Sequence, residues 1–300
     1  MSYNDVHFDS ALNAKLKDRL SNLQQWQDYV IEYLAQYLVA SSSQAQTIGC
    51  DAFLQLLAKI RFNLDSTNVL LPKMYEDYRY KTSINVLYRA MVDDIINSYY
   101  LWGTVVINDI NQYALRNELN ILHKEFIMSV IEGITSEQQF RTFLDTLNNT
   151  TPSPVTNVEE EFKKGNPELI DQKGDWKKNS EIRATTHTNI LKLLNQKNNS
   201  AFISEKKKLE FLKARGVPWH DELMSLFKYL SQYQHFSPRA HDLLNSHIDQ
   251  DITIYQHTLG QLLMLLHELF PILKLNNKEE LDTHLKLLGE KMINSFDSEL

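Results

Sequence analysis

Across 300 residues the chain carries only eight glycines and seven prolines, too few for the many turns of an all-β or Rossmann-type fold. A formal charge of −7, from 31 basic and 38 acidic residues, leaves no overall attraction for nucleic acid and room only for a local basic patch. The single cysteine, Cys50, excludes an internal disulfide and a Cys-rich zinc site.

The opening segment, MSYNDVHFDS, has neither a basic n-region nor an apolar core, so no secretory leader is expected there. A long amphipathic helix is expected over residues 10–40, then a Ser/Gln loop, then a second helix over 50–64. Residues 80–102 read as the central helix. Ile84, Leu87, Tyr88, Met91, Ile95, Tyr99 and Trp102 form one apolar stripe at helical spacing, and Val86, Ile96 and Tyr100 a second on the opposite side. A helix apolar on two sides is sandwiched between neighbours.

Further helices are expected over 106–131 and 137–147, the second opened by a capping box of Ser136 and Gln139. Residues 148–174 contain Pro152, Pro154, Gly165, Pro167 and three consecutive glutamates, and read as an exposed loop or linker. Helices resume over 180–195, 205–214, 219–235, 238–246, 251–270 and 278–296. The last opens on Asn277 with Glu280 three residues on, a second capping box. The apolar run 259–275 is broken by His267, Glu268, Pro271 and Lys274, which suits a buried helix and not a membrane span. The expected fold is an all-α multi-helix bundle in a soluble, cytoplasmic protein. It has an N-terminal region (1–147), a loop (148–179) and a C-terminal region (180–300), packed as one domain or as two helical subdomains.

Chemistry concentrates in residues 228–241, KYLSQYQHFSPRAH. Ser231 and His235 fall one helical turn apart, the helix stops at His235, and Ser237 with Pro238 restarts it. On the central helix Arg89 and Asp93 are one turn apart within an apolar stripe, where a charge needs a partner. They read either as a structural ion pair or as half of a polar site completed by Ser231 and His235, with His235 the best single acid/base. No strand-borne G-x-S-x-G elbow accompanies Ser231, which argues against a serine hydrolase.

No metal site and no cofactor are expected. His235, His241 and His247 step by six residues, about 240° around a helix, so neighbours do not share a face. Glu-x-x-His is absent, His267–Glu268 does not continue as His-Glu-x-x-His, and His247 with Asp251 reads as a surface pair. Neither G-x-x-x-x-G-K-[ST] nor G-x-G-x-x-G occurs, which removes P-loop enzymes and Rossmann dehydrogenases.

The central helix with Arg89-x-x-x-Asp93, followed by LSQYQH at 230–235, resembles bacterial all-helical families related to the HEPN superfamily. That resemblance implies a helical bundle, often dimeric. It also implies metal-independent RNA cleavage of the kind used in toxin–antitoxin and phage-defence systems. The ribonuclease motif of the superfamily is an arginine, four to six residues, then a histidine. Arg116 with His123 and Arg215 with His220 both fit it. In such a mechanism the histidine acts as acid/base and the arginine stabilises phosphate charge. The competing expectation is a non-catalytic helical protein that binds a protein partner or a small ligand. RNA, a second copy of the chain and another protein are thus the partners to weigh; a membrane is not.

Overall fold

The computed structural model describes residues 10–42, 48–77, 80–105, 113–151, 154, 157–185, 204–217, 219–233, 248–273, 275 and 277–297. Among them the elements are helical, with no strand, as the low glycine and proline content requires. The helices are α1 (Ser10–Ser42), α2 (Ile48–Glu76), α3 (Tyr80–Val105), α4 (Tyr113–Leu147), α5 (Val158–Gly165), α6 (Asn179–Ile182), α7 (Glu205–Ala214), α8 (His220–Ser231), α9 (Ile248–Leu269) and α10 (Lys278–Asp297). None of the described helices is long and apolar enough to cross a membrane.

The chain forms two compact units, Met1–Trp102 with Lys208–Leu300, and Gly103–Lys207. The N- and C-terminal helices therefore share one unit, and the stretch read from composition as a linker lies inside the other.

In the first unit α1 packs along α2, α9 and α10. Buried Leu23, Val30, Tyr33, Leu34 and Tyr37 recur on α1 at three- and four-residue steps. The helix α2 runs twelve residues past its expected end at 64. Thr67, Leu71 and Met74 continue its buried face, and Gln27 of α1 donates to Thr67 Oγ1 at 2.6 Å. Pro72 is exposed inside α2. It removes one backbone donor, which the burial on the other face offsets. On α3 five residues of the main apolar stripe, Ile84, Tyr88, Met91, Ile95 and Tyr99, are buried, while Leu87 and Trp102 are half-buried. The second stripe holds only in part, because Ile96 and Tyr100 are buried while Val86 is exposed.

In the second unit two expectations are corrected. Residues 113–147 form one continuous helix, so Ser136 and Gln139 lie mid-helix and cap nothing. A capping signal matters only where the preceding chain leaves the helix. Here the ladder runs through, and Glu137 pairs with Arg141 one turn on at 2.5 Å. The proline-rich stretch is not a plain loop either. It holds α5, a 3-10 turn at Pro167–Leu169 and a bridge between Ile170 and Trp176. Leu169 enters a core with Ile121, Ile127 and Ile182, against which Phe162 and Trp176 pack. The turn signals were real but local: Pro167 opens the 3-10 turn and Gly174 adopts φ +83°. Glu118 and Arg183 form a two-pronged buried pair, Nε to Oε1 at 2.6 Å and Nη2 to Oε2 at 2.9 Å.

Candidate functional site

Four residues of α3, Lys81, Asn85, Arg89 and Asp93, recur every four positions and so share one face of the helix. They form a charged seam within the apolar core of the first unit. At one end Lys81 Nζ lies 2.7 Å from Asp251 Oδ2 of α9, and both side chains are fully buried. Asp251 Oδ1 accepts from the Tyr229 hydroxyl at 2.9 Å, from the Tyr233 hydroxyl at 3.1 Å and from Asn85 Nδ2 at 3.5 Å. Lys81 Nζ also stands 5.7 Å from the centre of the Tyr233 ring. Three donors and a countercharge around one carboxylate are what a buried ion needs.

This overturns the reading of Asp251 as half of a surface pair with His247. Asp251 is inside the protein and paired with Lys81. His247 lies outside the described residues, as do His241, the helix expected over 238–246 and most of that expected over 180–195.

At the other end of the seam Arg89 is only 6% exposed. Its Nε donates to Ser231 Oγ at 2.8 Å, its Nη1 pairs closely with Asp93, and its flat face lies 3.8 Å from the centre of the Phe227 ring. Ser231 in turn donates its proton to the Phe227 carbonyl at 2.6 Å. Its hydroxyl is thus committed as acceptor from Arg89 and donor to backbone. Arg89, Asp93 and Ser231 come together as the sequence suggested, whereas His235 lies outside the described residues. Between the two ends Tyr88 and Tyr255 stack at 4.1 Å, and burial pushes both phenols well above their ordinary range.

The remaining pairs behave differently. Arg116 and His123 stand exposed on α4, seven residues apart and so on the same side. Asn166 donates its Nδ2 to the Phe162 carbonyl at 2.9 Å, which turns its Oδ1 toward His123 at 2.9 Å. His123 therefore carries its proton on Nε2. Arg215 and His220 share no hydrogen bond or ion pair. His220 Nδ1 donates to the Val217 carbonyl at 2.8 Å, and Arg215 Nε is buried without a hydrogen bond. Desolvation lowers the Arg215 pKa. No group of three or more His, Cys, Asp or Glu side chains among the described residues could hold a metal ion.

A second polar cluster lies where α8, α9 and α10 line an open groove of about 240 Å³. His257 Nδ1 donates to Glu222 Oε1 at 2.8 Å, and Gln261 Nε2 donates to Glu222 Oε2 at 2.6 Å. The hydrogen bond to Glu222, more than the opposing desolvation, holds the His257 pKa above its ordinary value.

Sequence reasoning missed Lys81, Asn85, Asp251 and this cluster. The four-residue recurrence on α3 was available as a signal. Asp251 and Glu222 meet partners far away in the chain, and no local spacing encodes that. Compared with known proteins, the chain matches no family model, no curated protein and no solved structure.

Proposed function

We propose that the chain is a non-catalytic helical binding protein in which the charged seam is structural. The observation that carries this reading is the state of Arg89. Its guanidinium is buried, bonded to Ser231, paired with Asp93 and stacked on Phe227. An arginine so committed offers nothing to a phosphate arriving from solvent. Ser231, whose hydroxyl donates to a backbone carbonyl and accepts from Arg89, has no base beside it to make it a nucleophile among the described residues. The proposed setting is the cytoplasm, and the proposed partners are a small ligand or another protein, a second copy included.

A second reading, an HEPN-like metal-independent ribonuclease, is favoured by one observation: Arg116 and His123 are both exposed on one side of α4. The experiment that separates the two is incubation of the purified chain with total cellular RNA in EDTA. His123→Ala, His220→Ala and His235→Ala variants of unchanged circular dichroism run beside it. The binding-protein reading expects wild type to cleave no more than a buffer control. Cleavage that one histidine variant abolishes would overturn it and name the catalytic histidine.

A further inference from the structure

The C-terminal half of α4 stands apart from the core of its unit. That core takes Ile121 and Ile127 from the first half of the helix, with Ile131 packed against it. Beyond that point none of residues 132–147 is buried. A helical stretch of this length is about 24 Å long and draws most of its stability from packing one apolar face. Its own unit gives it no such face to pack on.

The amphipathicity of the stretch is reversed. Phe140, Phe143, Leu144 and Leu147 are 59%, 59%, 36% and 66% exposed, and they fall within one arc of about 100°. The half-buried residues Ile134, Gln138, Thr142 and Asp145 centre on the opposite side, and three of those four are polar. The rings of Phe140 and Phe143 lie 6.5 Å apart with planes 26° from parallel, which makes a broad apolar platform. At about 200 Å² for a large apolar side chain, the four expose roughly 400 Å² per copy, the size at which a surface patch marks a binding site.

Charge, spacing and area select the occupant. The only charges on residues 133–147 are Glu137, Arg141 and Asp145. Glu137 and Arg141 neutralise each other, and Asp145 lies about 150° around the helix from the centre of the stripe. A charged peptide would find no unmatched countercharge along the stripe. A lipid surface would find none of the flanking lysines that hold a helix in the membrane plane. A second copy of the chain brings no like charges into contact with the first. The positions 140, 143, 144 and 147 also read the same in both directions. An antiparallel pair about a two-fold axis therefore sets Phe140 of each copy against Leu147 of the other, and Phe143 against Leu144. The two helix dipoles then run in opposite senses. Both stripes with their uncharged flank, Gln139 and Thr146, bury on the order of 1,000 Å², the low end for a specific interface. Such an area fits a reversible dimer with a dissociation constant on the order of 10 μM.

We propose that the exposed stripe of α4 is a homodimer interface, in which residues 133–147 of two copies pair antiparallel. The inference rests on the binding-protein reading and names a second copy as the partner of that reading.

Sedimentation of the full chain over about 1–300 μM tests it, with a shift expected from 35.1 kDa to twice that mass, centred on about 10 μM. Phe143→Glu, at an exposed position, should keep the wild-type Tm at low concentration and sediment as a monomer throughout. Leu147→Glu supplies the same test should that variant fail to fold. A spin label on Ser136→Cys, in a Cys50→Ser background, measures the sense of the pair. The antiparallel arrangement puts the two labels about 25 Å apart, a parallel one about 10 Å. A wild type that stays monomeric over the whole range would overturn the proposal and leave the stripe to a different protein. A dimer that survives in the folded glutamate variants, or the shorter label distance, would overturn it as well. If wild type is monomeric and leaves RNA intact, the interface alone is refuted. RNA cleavage by wild type would refute the binding-protein reading itself.

Discussion

Replacing Lys81 with methionine keeps the length and apolar stem of the side chain and deletes its charge. Asp251 would then be a fully buried carboxylate with three hydrogen-bond donors, Tyr229, Tyr233 and Asn85, but no countercharge. Breaking a buried pair on one side costs about 3–5 kcal/mol. For a cooperative unit of 150–250 residues each kcal/mol lowers Tm by about 2–4 °C, so the fall should be roughly 6–20 °C. Asp251→Leu strands the ammonium instead and should cost a similar amount. The double variant removes both charges, and its loss should be well below the sum of the singles, with a coupling of about 1–3 kcal/mol. Urea unfolding followed by circular dichroism measures all four corners of the cycle. Additive losses, or a Lys81→Met variant that unfolds at the wild-type urea concentration, would refute the claim that this pair is buried and mutually dependent.

Three further outcomes follow from the geometry. The Glu222 bond raises the His257 pKa above its ordinary 6.5. That bond therefore contributes stability in full below the unfolded value and loses it as pH rises through the folded one. Glu222→Gln should bring the His257 midpoint, read by NMR, back down toward 6.5, and an unchanged midpoint would contradict the assignment. In the second unit Glu118→Ala should leave Arg183 buried without its two-pronged partner, at a cost of about 3–5 kcal/mol. Hydrogen exchange in peptides from residues 113–131 should speed up accordingly, and unchanged protection would sink the idea. The exposed Glu137–Arg141 pair is the contrast: Arg141→Ala should change stability by no more than about 0.5 kcal/mol in the same assay.

The parts of the structure readable from sequence are those governed by local periodicity. The apolar stripe of α3 is one, and so is the all-helical class that follows from few glycines and prolines. Arg89 and Asp93 were readable as a unit because one turn separates them and a lone charge on an apolar face needs company. Ser231 could be joined to them by chemical type alone, and the Arg89–Ser231 bond shows that pairing.

Asp251 was misplaced because Asp249 and Gln250 just before it are polar, while its burial is set by Lys81 on another helix. The break expected near residue 136 failed for a related reason. Ser136 and Gln139 carry a start signal that also fits inside a helix, and nothing in the sequence states that the preceding turn is already wound. Prolines misled at 148–174, since Pro167 opens a 3-10 turn that delivers Leu169 into a core instead of marking a linker. The Glu222 cluster had no sequence signal, because its partners His257 and Gln261 depend on how α8 and α9 meet.

The central claim is that Arg89 serves the fold and not a substrate, and urea unfolding of Arg89→Ala tests it most directly. Removing the guanidinium deletes the Ser231 bond, the Phe227 contact and an ion pair to Asp93. Asp93 is 32% exposed and can regain some hydration, so the loss should sit near the lower end of the buried-pair range, about 3 kcal/mol. A loss of that size, with the chain still folded at low denaturant, is the predicted result. An Arg89→Ala variant as stable as wild type would contradict it, and would mean that the arginine is held in place for a molecule that the fold itself does not need.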